Sequence, residues 1–286
     1  MIDVVAAVIK NKNKYFIAQR NRNKHFAYHY EFPGGKVDNN ENFENALKRE
    51  IKDLVWRRVM ADYNLYRGSI FHCIEDGSNV KPVYFPDGLM VVREGKIVEV
   101  GEYSELSAKF SSEDSIAHFK DSLIMPGFID SHIHYPQYKV ISSYGTSLLE
   151  WLNKYTFVEE QKFSDIDYAA RVAELFLEEL LKNGTTTAMT FCTSHKQSVD
   201  VFYSAAEKRN LRMIAGKVMM DRNAPDGLCD DMESSYADSK SLIEKWHNKG
   251  RLSYAVTPRF APTSTEGQLS QAAKLLREYP NTKSAK

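Results

Sequence analysis

The chain has 286 residues, 43% of them hydrophobic and 27% charged, enough apolar material for one large globular domain or two modest ones. Lys plus Arg equals Asp plus Glu at 38 each, so the formal charge is zero and nothing global draws the protein to nucleic acid or a membrane surface. No apolar run approaches the roughly 20 residues of a membrane span, and the N-terminal MIDVVAAVIKNKNK lacks the features of a signal peptide, so a cytoplasmic protein is expected.

In chain order, residues 2–9 and Tyr15 to Gln19 read as two strands about the polar turn Lys10–Lys14, a β-hairpin. Glu31-Phe-Pro-Gly-Gly35 is a breaker cluster expected to end extended structure. Asn42 to Leu54 carries Phe43, Ala46, Leu47, Ile51 and Leu54 at helical spacing. Beyond Trp56 come short β-like runs at Leu65–Ile74, Gly88–Val92 and Gly95–Gly101, expected to form a small sheet. From Leu123 onward extended apolar runs alternate with helices: LIMPGFIDSHIH, the helix Tyr168–Lys182, TTTAMTF, the helix Ser198–Arg209, RMIAGKVMM, the helix Ser234–Asn248, LSYAVTPRF and the helix Glu266–Tyr279. Such alternation predicts an α/β fold of about four βα units on a parallel sheet, open or barrel-like, with a fifth strand due after Pro280. Cys73, Cys192 and Cys229 lie far apart with no CxxC spacing, so neither a disulfide framework nor a cysteine zinc site is indicated.

Two motifs carry chemistry. Gly35, Glu41, Arg49, Glu50 and Ile51 have the spacing Gly, five residues, Glu, seven residues, Arg-Glu and an aliphatic. With VVAAVI, AQR and EFPGGK upstream, residues 1–54 resemble Nudix hydrolases. That chemistry needs several carboxylates on one helix face to hold divalent metal against a diphosphate. Glu50 matches the first carboxylate, but Asp53 and Leu54 stand where a Glu pair is expected, and Leu54 cannot bind metal. A truncated segment, residues 1–56, without hydrolase activity is expected.

The second motif, PGFIDSHIH, ends an apolar run with His132 and His134 two apart. On a strand, i and i+2 face the same side, so both imidazoles can reach one ion. The run also ends at the carboxyl end of the first βα strand, where barrel enzymes place their chemistry. Asp130 shares that face and is left unassigned, and His195, in FCTSHK after the next apolar run, is expected to be structural or solvent-facing.

PGFIDSHIHYPQ, YGTSLLEWLNKYTFVEE, LKNGTTTAMTF, GKVMMDRNAP and AVTPRFAPTS resemble, in order and spacing, the guanine deaminases of the amidohydrolase superfamily, over about Leu65 to Pro280. The resemblance implies a small β-sandwich part at residues 57–122 and the first half of an amidohydrolase (β/α) barrel at residues 123–286. It implies one Zn2+ held by His132 and His134, with Tyr135, Pro136 and Gln137 beside a purine and the Arg259-Phe260 pair contacting guanine. A guanidinium can donate to a purine acceptor and a phenyl ring offers a stacking face, which suits both roles. The implied reaction takes guanine and water to xanthine and ammonia, with a small-molecule purine as partner and room for a homodimer. In the family a third histidine and a proton-transferring Glu come from the fifth strand, a fourth histidine from the sixth and an Asp from the eighth. After Asn281-Thr-Lys283 the expected Gln-Thr-His-x-x-Glu run is replaced by Ser-Ala-Lys. The chain alone is therefore expected to be an incomplete enzyme. A Nudix hydrolase and a non-catalytic fragment or fusion are the other readings.

Overall fold

The computed structural model describes residues 41–49, 63–110 and 115–285 and, within 1–40, six short strands. Two compact units result, Met1–Pro126 and Gly127–Lys286.

In the first unit the six strands are β1 (Val4–Ala6), β2 (Ile9–Asn11), β3 (Lys14–Phe16), β4 (Ala18–Gln19), β5 (Tyr30–Glu31) and β6 (Gly34–Lys36). The hairpin exists, but its strands β2 and β3 pair antiparallel well inside the stretch read as a turn. The breaker cluster is also corrected: Gly34 to Lys36 pairs antiparallel with β1. Glycine packs no side chain, yet its backbone pairs like any other, and the β-branched Val4 and Val5 supply the strand preference opposite it. Helix α1 spans 43–49, and Glu50 to Leu54 lie outside the described residues.

A four-stranded mixed sheet follows, built from β7 (Tyr63–Asp76), β8 (Asn79–Arg93), β9 (Lys96–Glu102) and β10 (Ile116–Ile124) in the order β10-β7-β8-β9. Its small core gathers Leu65, Leu89, Val91 and Leu106, the last from the one-turn helix α2 (Tyr103–Leu106). The sheet was expected; β10 was not. Its residues are mostly exposed, so its apolar positions show no alternation to read.

The second unit is the run of βα units. Strands β11 (Phe128–His134), β12 (Thr185–Phe191), β13 (Arg212–Gly216), β14 (Val218–Met219) and β15 (Ser253–Pro258) are all parallel, in the order β11-β12-β13-β15 with β14 also on β15. The fifth strand due after Pro280 appears as β16 (Lys283–Ser284), parallel to β15. Pro126 cannot donate a ladder hydrogen bond, and the single run LIMPGFIDSHIH is accordingly divided there between β10 and β11. Gly216 marks the tightest approach in the sheet, where a Cβ would come 1.8 Å from the Ala255 carbonyl oxygen.

Short helical segments α3 (Leu148–Trp151), a π-turn (Leu152–Thr156) and α4 (Phe157–Gln161) precede the long helices α5 (Ile166–Lys182), α6 (Lys196–Lys208), α7 (Met232–Trp246) and α8 (Glu266–Glu278). Asp165, Asp231 and Thr265 cap α5, α7 and α8 by accepting from first-turn backbone N–H groups. The helices cover one face of the sheet, burying Phe176, Phe202, Met213, Leu242, Tyr254 and Leu275 among others. On the opposite face a smaller cluster joins Phe191, Val218, Met220 and Ala255 to Leu152, Phe157 and Leu228. The candidate site stands on this second face. No helix among the described residues is long and apolar enough to cross a membrane.

Candidate functional site

Strand β11 ends in Asp130-Ser-His-Ile-His134, and its pleat turns the two imidazoles the same way. Their Nε2 atoms are 3.2 Å apart. Two nitrogens bound to a tetrahedral zinc at about 2.0–2.1 Å would lie about 3.3 Å from each other. The spacing matches two positions of a tetrahedral ion and is equally that of an N–H···N hydrogen bond between the rings. Phe191, at the end of β12, lies against both rings, with centroids 4.8 Å from His132 and 4.6 Å from His134. Burial first, then the charge of Arg259 and the neighbouring His132, holds the His134 imidazole down to about 3, so it is neutral and available as a ligand. Its Nδ1 is buried with no hydrogen-bond partner among the described residues. Asp130 Oδ1 accepts from the His132 backbone N–H at 3.0 Å. Among the described residues no group of three or more His, Cys, Asp or Glu side chains could hold a metal.

Arg259 follows β15. Its backbone N–H donates to the Met219 carbonyl at 3.2 Å, and Nη1 donates to Glu160 Oε2 at 2.6 Å. Both side chains are almost wholly buried, at 5% and 0% exposure. The guanidinium also lies over the Phe157 ring, 5.4 Å from its centroid. The other oxygen of Glu160 accepts from Gln137 Nε2 at 3.3 Å. Glu160 thus ties the segment after β11 to the segment after β15.

These groups surround an open cavity of about 210 Å³ whose wall includes His132, His134, Gln137, Trp151, Arg259 and Phe260. An adjoining space of about 320 Å³ shares His132, His134, Gln137 and Trp151. Such volumes suit a ligand of one or two rings, since drug-sized pockets begin at about 300 Å³. Five of the seven residues singled out from the sequence thus line one cavity. Tyr135 and Pro136 do not. Tyr135 is fully buried, stacked on Phe202 and edge-on to Phe163, with its hydroxyl donating to the Ser198 carbonyl at 3.0 Å. Strand alternation explains this: the residue after His134 turns to the helix-covered face. Pro136 is likewise buried, inside the 3₁₀ turn Tyr135–Val140. His195 sits at the N-cap position of α6 with Nδ1 3.1 Å from Thr193 Oγ1, off the cavity wall, and burial lowers its pKa.

Glu160 was not singled out, although it closes the resembling block YGTSLLEWLNKYTFVEE; in Phe157-Val-Glu-Glu160 positions i and i+3 share a helix face, and the phenyl and the carboxylate both meet Arg259.

Comparison with known proteins identifies the family. Residues 1–53 match the NUDIX domain, and residues 123–285 match the Amidohydrolase family. Guanine deaminase of Escherichia coli (strain K12) is 51% identical over 199 residues, which are 70% of this chain and 45% of that protein. The solved structure of E. coli guanine deaminase superposes with a TM-score of 0.72 at 46% identity, covering 77% of this chain and 52% of that one. The crystal structure of guanine deaminase from C. acetobutylicum, with guanine bound in its active site, gives a TM-score of 0.67 at 31% identity and covers 76% and 51%. The chain spans about half the length of the relatives it matches. Through residues 123–285, which carry the paired histidines, the chain belongs to the amidohydrolase family.

Proposed function

We propose that this chain carries the purine-recognising part of a zinc-dependent guanine deaminase, which takes guanine and water to xanthine and ammonia. The observation that carries the reading is the single cavity in which the His132–His134 pair, Gln137, Arg259 and Phe260 meet. The relatives named guanine deaminase, one of them solved with guanine bound, support it. His132 and His134 would hold the ion, and their Nε2 spacing fits two positions of a tetrahedral site. When bound, zinc lowers the pKa of a water toward about 7 and so supplies hydroxide at neutral pH.

The chain's own residues bind and orient. Phe260 offers a face on which a purine ring can stack. Arg259, held by Glu160, keeps its remaining N–H donors for a ring carbonyl, and Trp151 with Leu148 and Leu152 lines the apolar side of the cavity. A site built on such fixed hydrogen bonds rejects the wrong base because its polar groups would be left unpaired. For residues 1–53 we propose no separate hydrolysis, since Leu54 stands where a metal-binding carboxylate is needed.

Calorimetric titration of nucleobases into the chain tests the reading. Guanine should bind better than adenine or cytosine, and Arg259→Ala should lose that binding. Equal affinity for adenine and guanine would leave the superfamily intact and remove the substrate.

A further inference from the structure

We infer that Glu160 is a positioning residue that sets the direction of the hydrogen bonds the cavity offers, and so selects a purine whose ring presents a carbonyl beside an N–H. The inference rests on the purine-binding reading above and adds the reason for the preference.

The argument begins with what a buried carboxylate can do. Glu160 is fully buried, and both of its oxygens are acceptors only. Oε2 takes the Arg259 Nη1 donor at 2.6 Å, and Oε1 takes a donor from Gln137 at 3.3 Å. Gln137 carries one donating and one accepting end. An acceptor-only neighbour forces the NH₂ end toward Glu160, so the carbonyl Oε1 is the end left for other partners. Arg259 has no acceptor at all, and its unengaged N–H groups can only donate. Both side chains line the same cavity. Beside the two imidazoles, its polar wall therefore presents an acceptor from Gln137 and donors from Arg259.

A 6-oxopurine such as guanine carries the complement, a C=O acceptor next to a ring N–H donor. A 6-aminopurine carries the reverse, an exocyclic NH₂ next to a bare ring nitrogen, and would set donor against donor at Arg259 and acceptor against acceptor at Gln137. Without the carboxylate the amide of Gln137 could turn over and meet either pattern. One buried side chain thereby fixes the sense of two hydrogen bonds on segments 122 residues apart in sequence, residue 137 to residue 259.

The test is a swap. Calorimetry should give the ratio of affinities for guanine and 2,6-diaminopurine, which share the 2-amino group and differ at position 6. In the wild-type chain guanine should be favoured. In Glu160→Gln the new amide can still accept from Arg259 but can also accept or donate toward Gln137, and the ratio should fall by about 10-fold, equivalent to about 1.4 kcal/mol. In the double variant Glu160→Gln with Gln137→Glu, the residue at 137 is again forced to present an acceptor, and the preference should return. A purely structural role for Glu160 would weaken both ligands alike and would not be rescued by the swap. A Glu160→Gln chain that folds, by circular dichroism, and keeps the wild-type ratio overturns the inference while leaving the purine-binding reading standing. Should Glu160→Gln not fold, the double variant decides alone: a ratio that stays near one overturns the inference. Wild-type chain that binds neither purine overturns the reading itself, and this inference with it.

Discussion

Arg259 and Glu160 form an ion pair almost without solvent, and that has a cost as well as a use. Removing one partner of a buried pair leaves an uncompensated charge and costs about 3–5 kcal/mol, whereas replacing both can be nearly neutral. Arg259→Met should therefore destabilise the fold by about 3–5 kcal/mol in urea unfolding, and adding Glu160→Gln should recover much of that loss. A cycle with no coupling between the two substitutions would show that the pair contributes only through packing. The same pair shows what a sequence does and does not disclose at this scale. His132 and His134 declare themselves by spacing, because a strand's period puts i and i+2 on one side. Tyr135 and Pro136 sit in the same motif, yet that alternation sends the first into the core, and only burial distinguishes it from Gln137. Glu160 leaves almost no trace: it meets Arg259 across 99 residues, and an acidic pair closing a short helix reads as a solvated face.

Elements with a strong period were legible to within about two residues. The four long helices each bury one stripe, and TTTAMTF matches β12 at both ends. Strand β15 is buried along nearly its whole length, so it reads as a continuous apolar run, as strands covered on both sides do. What failed had no period to show. Strand β10 is exposed, and the α3, π-turn and α4 stretch changes its helical repeat within 14 residues, Leu148 to Gln161. That stretch nonetheless places Leu152, Phe157 and Glu160 around the site, and π-turns recur at functional sites.

Helix termini make a separate prediction at this scale. Asp231 caps α7, with Oδ1 accepting from Ser234 N at 2.8 Å and Glu233 N at 3.0 Å, while the Ser234 hydroxyl donates to Oδ2. The backbone N–H of Ser234 first, then its hydroxyl, holds the Asp231 carboxyl below its usual range. A carboxylate whose pKa is depressed on folding adds stability that is present above its unfolded value, about 3.9, and is lost as pH falls through the folded value. Asn at this position keeps the accepting oxygen but cannot titrate. The thermal midpoint of Asp231→Asn should therefore fall less steeply than wild type between about pH 5 and about pH 2.5. Asp230, which burial pushes up despite the partnering Lys217, is common to both proteins and cancels in the comparison. Parallel acid limbs would show that the cap carboxylate is no better held in the fold than in the unfolded chain.

At the scale of the molecule, the parallel sheet of the second unit takes β11, β12, β13 and β15 in chain order, with β14 and β16 both paired to β15. Ile141 and Leu148, which line the cavity and the space beside it, are each more than 60% exposed. The matched region is about half the length of these relatives. On the reading proposed above His132 and His134 are two ligands, and among the described residues no group of three completes a site, whereas catalytic zinc uses three protein ligands and a water. The chain as it stands should retain well under one zinc per molecule after dialysis. A hybrid that continues from Lys283 into the portion of the E. coli relative not matched here should retain one, lose it in His132→Ala, bury Ile141 and Leu148 and release ammonia from guanine. Zinc held tightly by the unextended chain would mean that ligands other than His132 and His134 complete its site. A folded hybrid that holds zinc and ignores guanine, but deaminates another compound, would keep His132 and His134 as ligands and withdraw Arg259 and Gln137 as readers of that base.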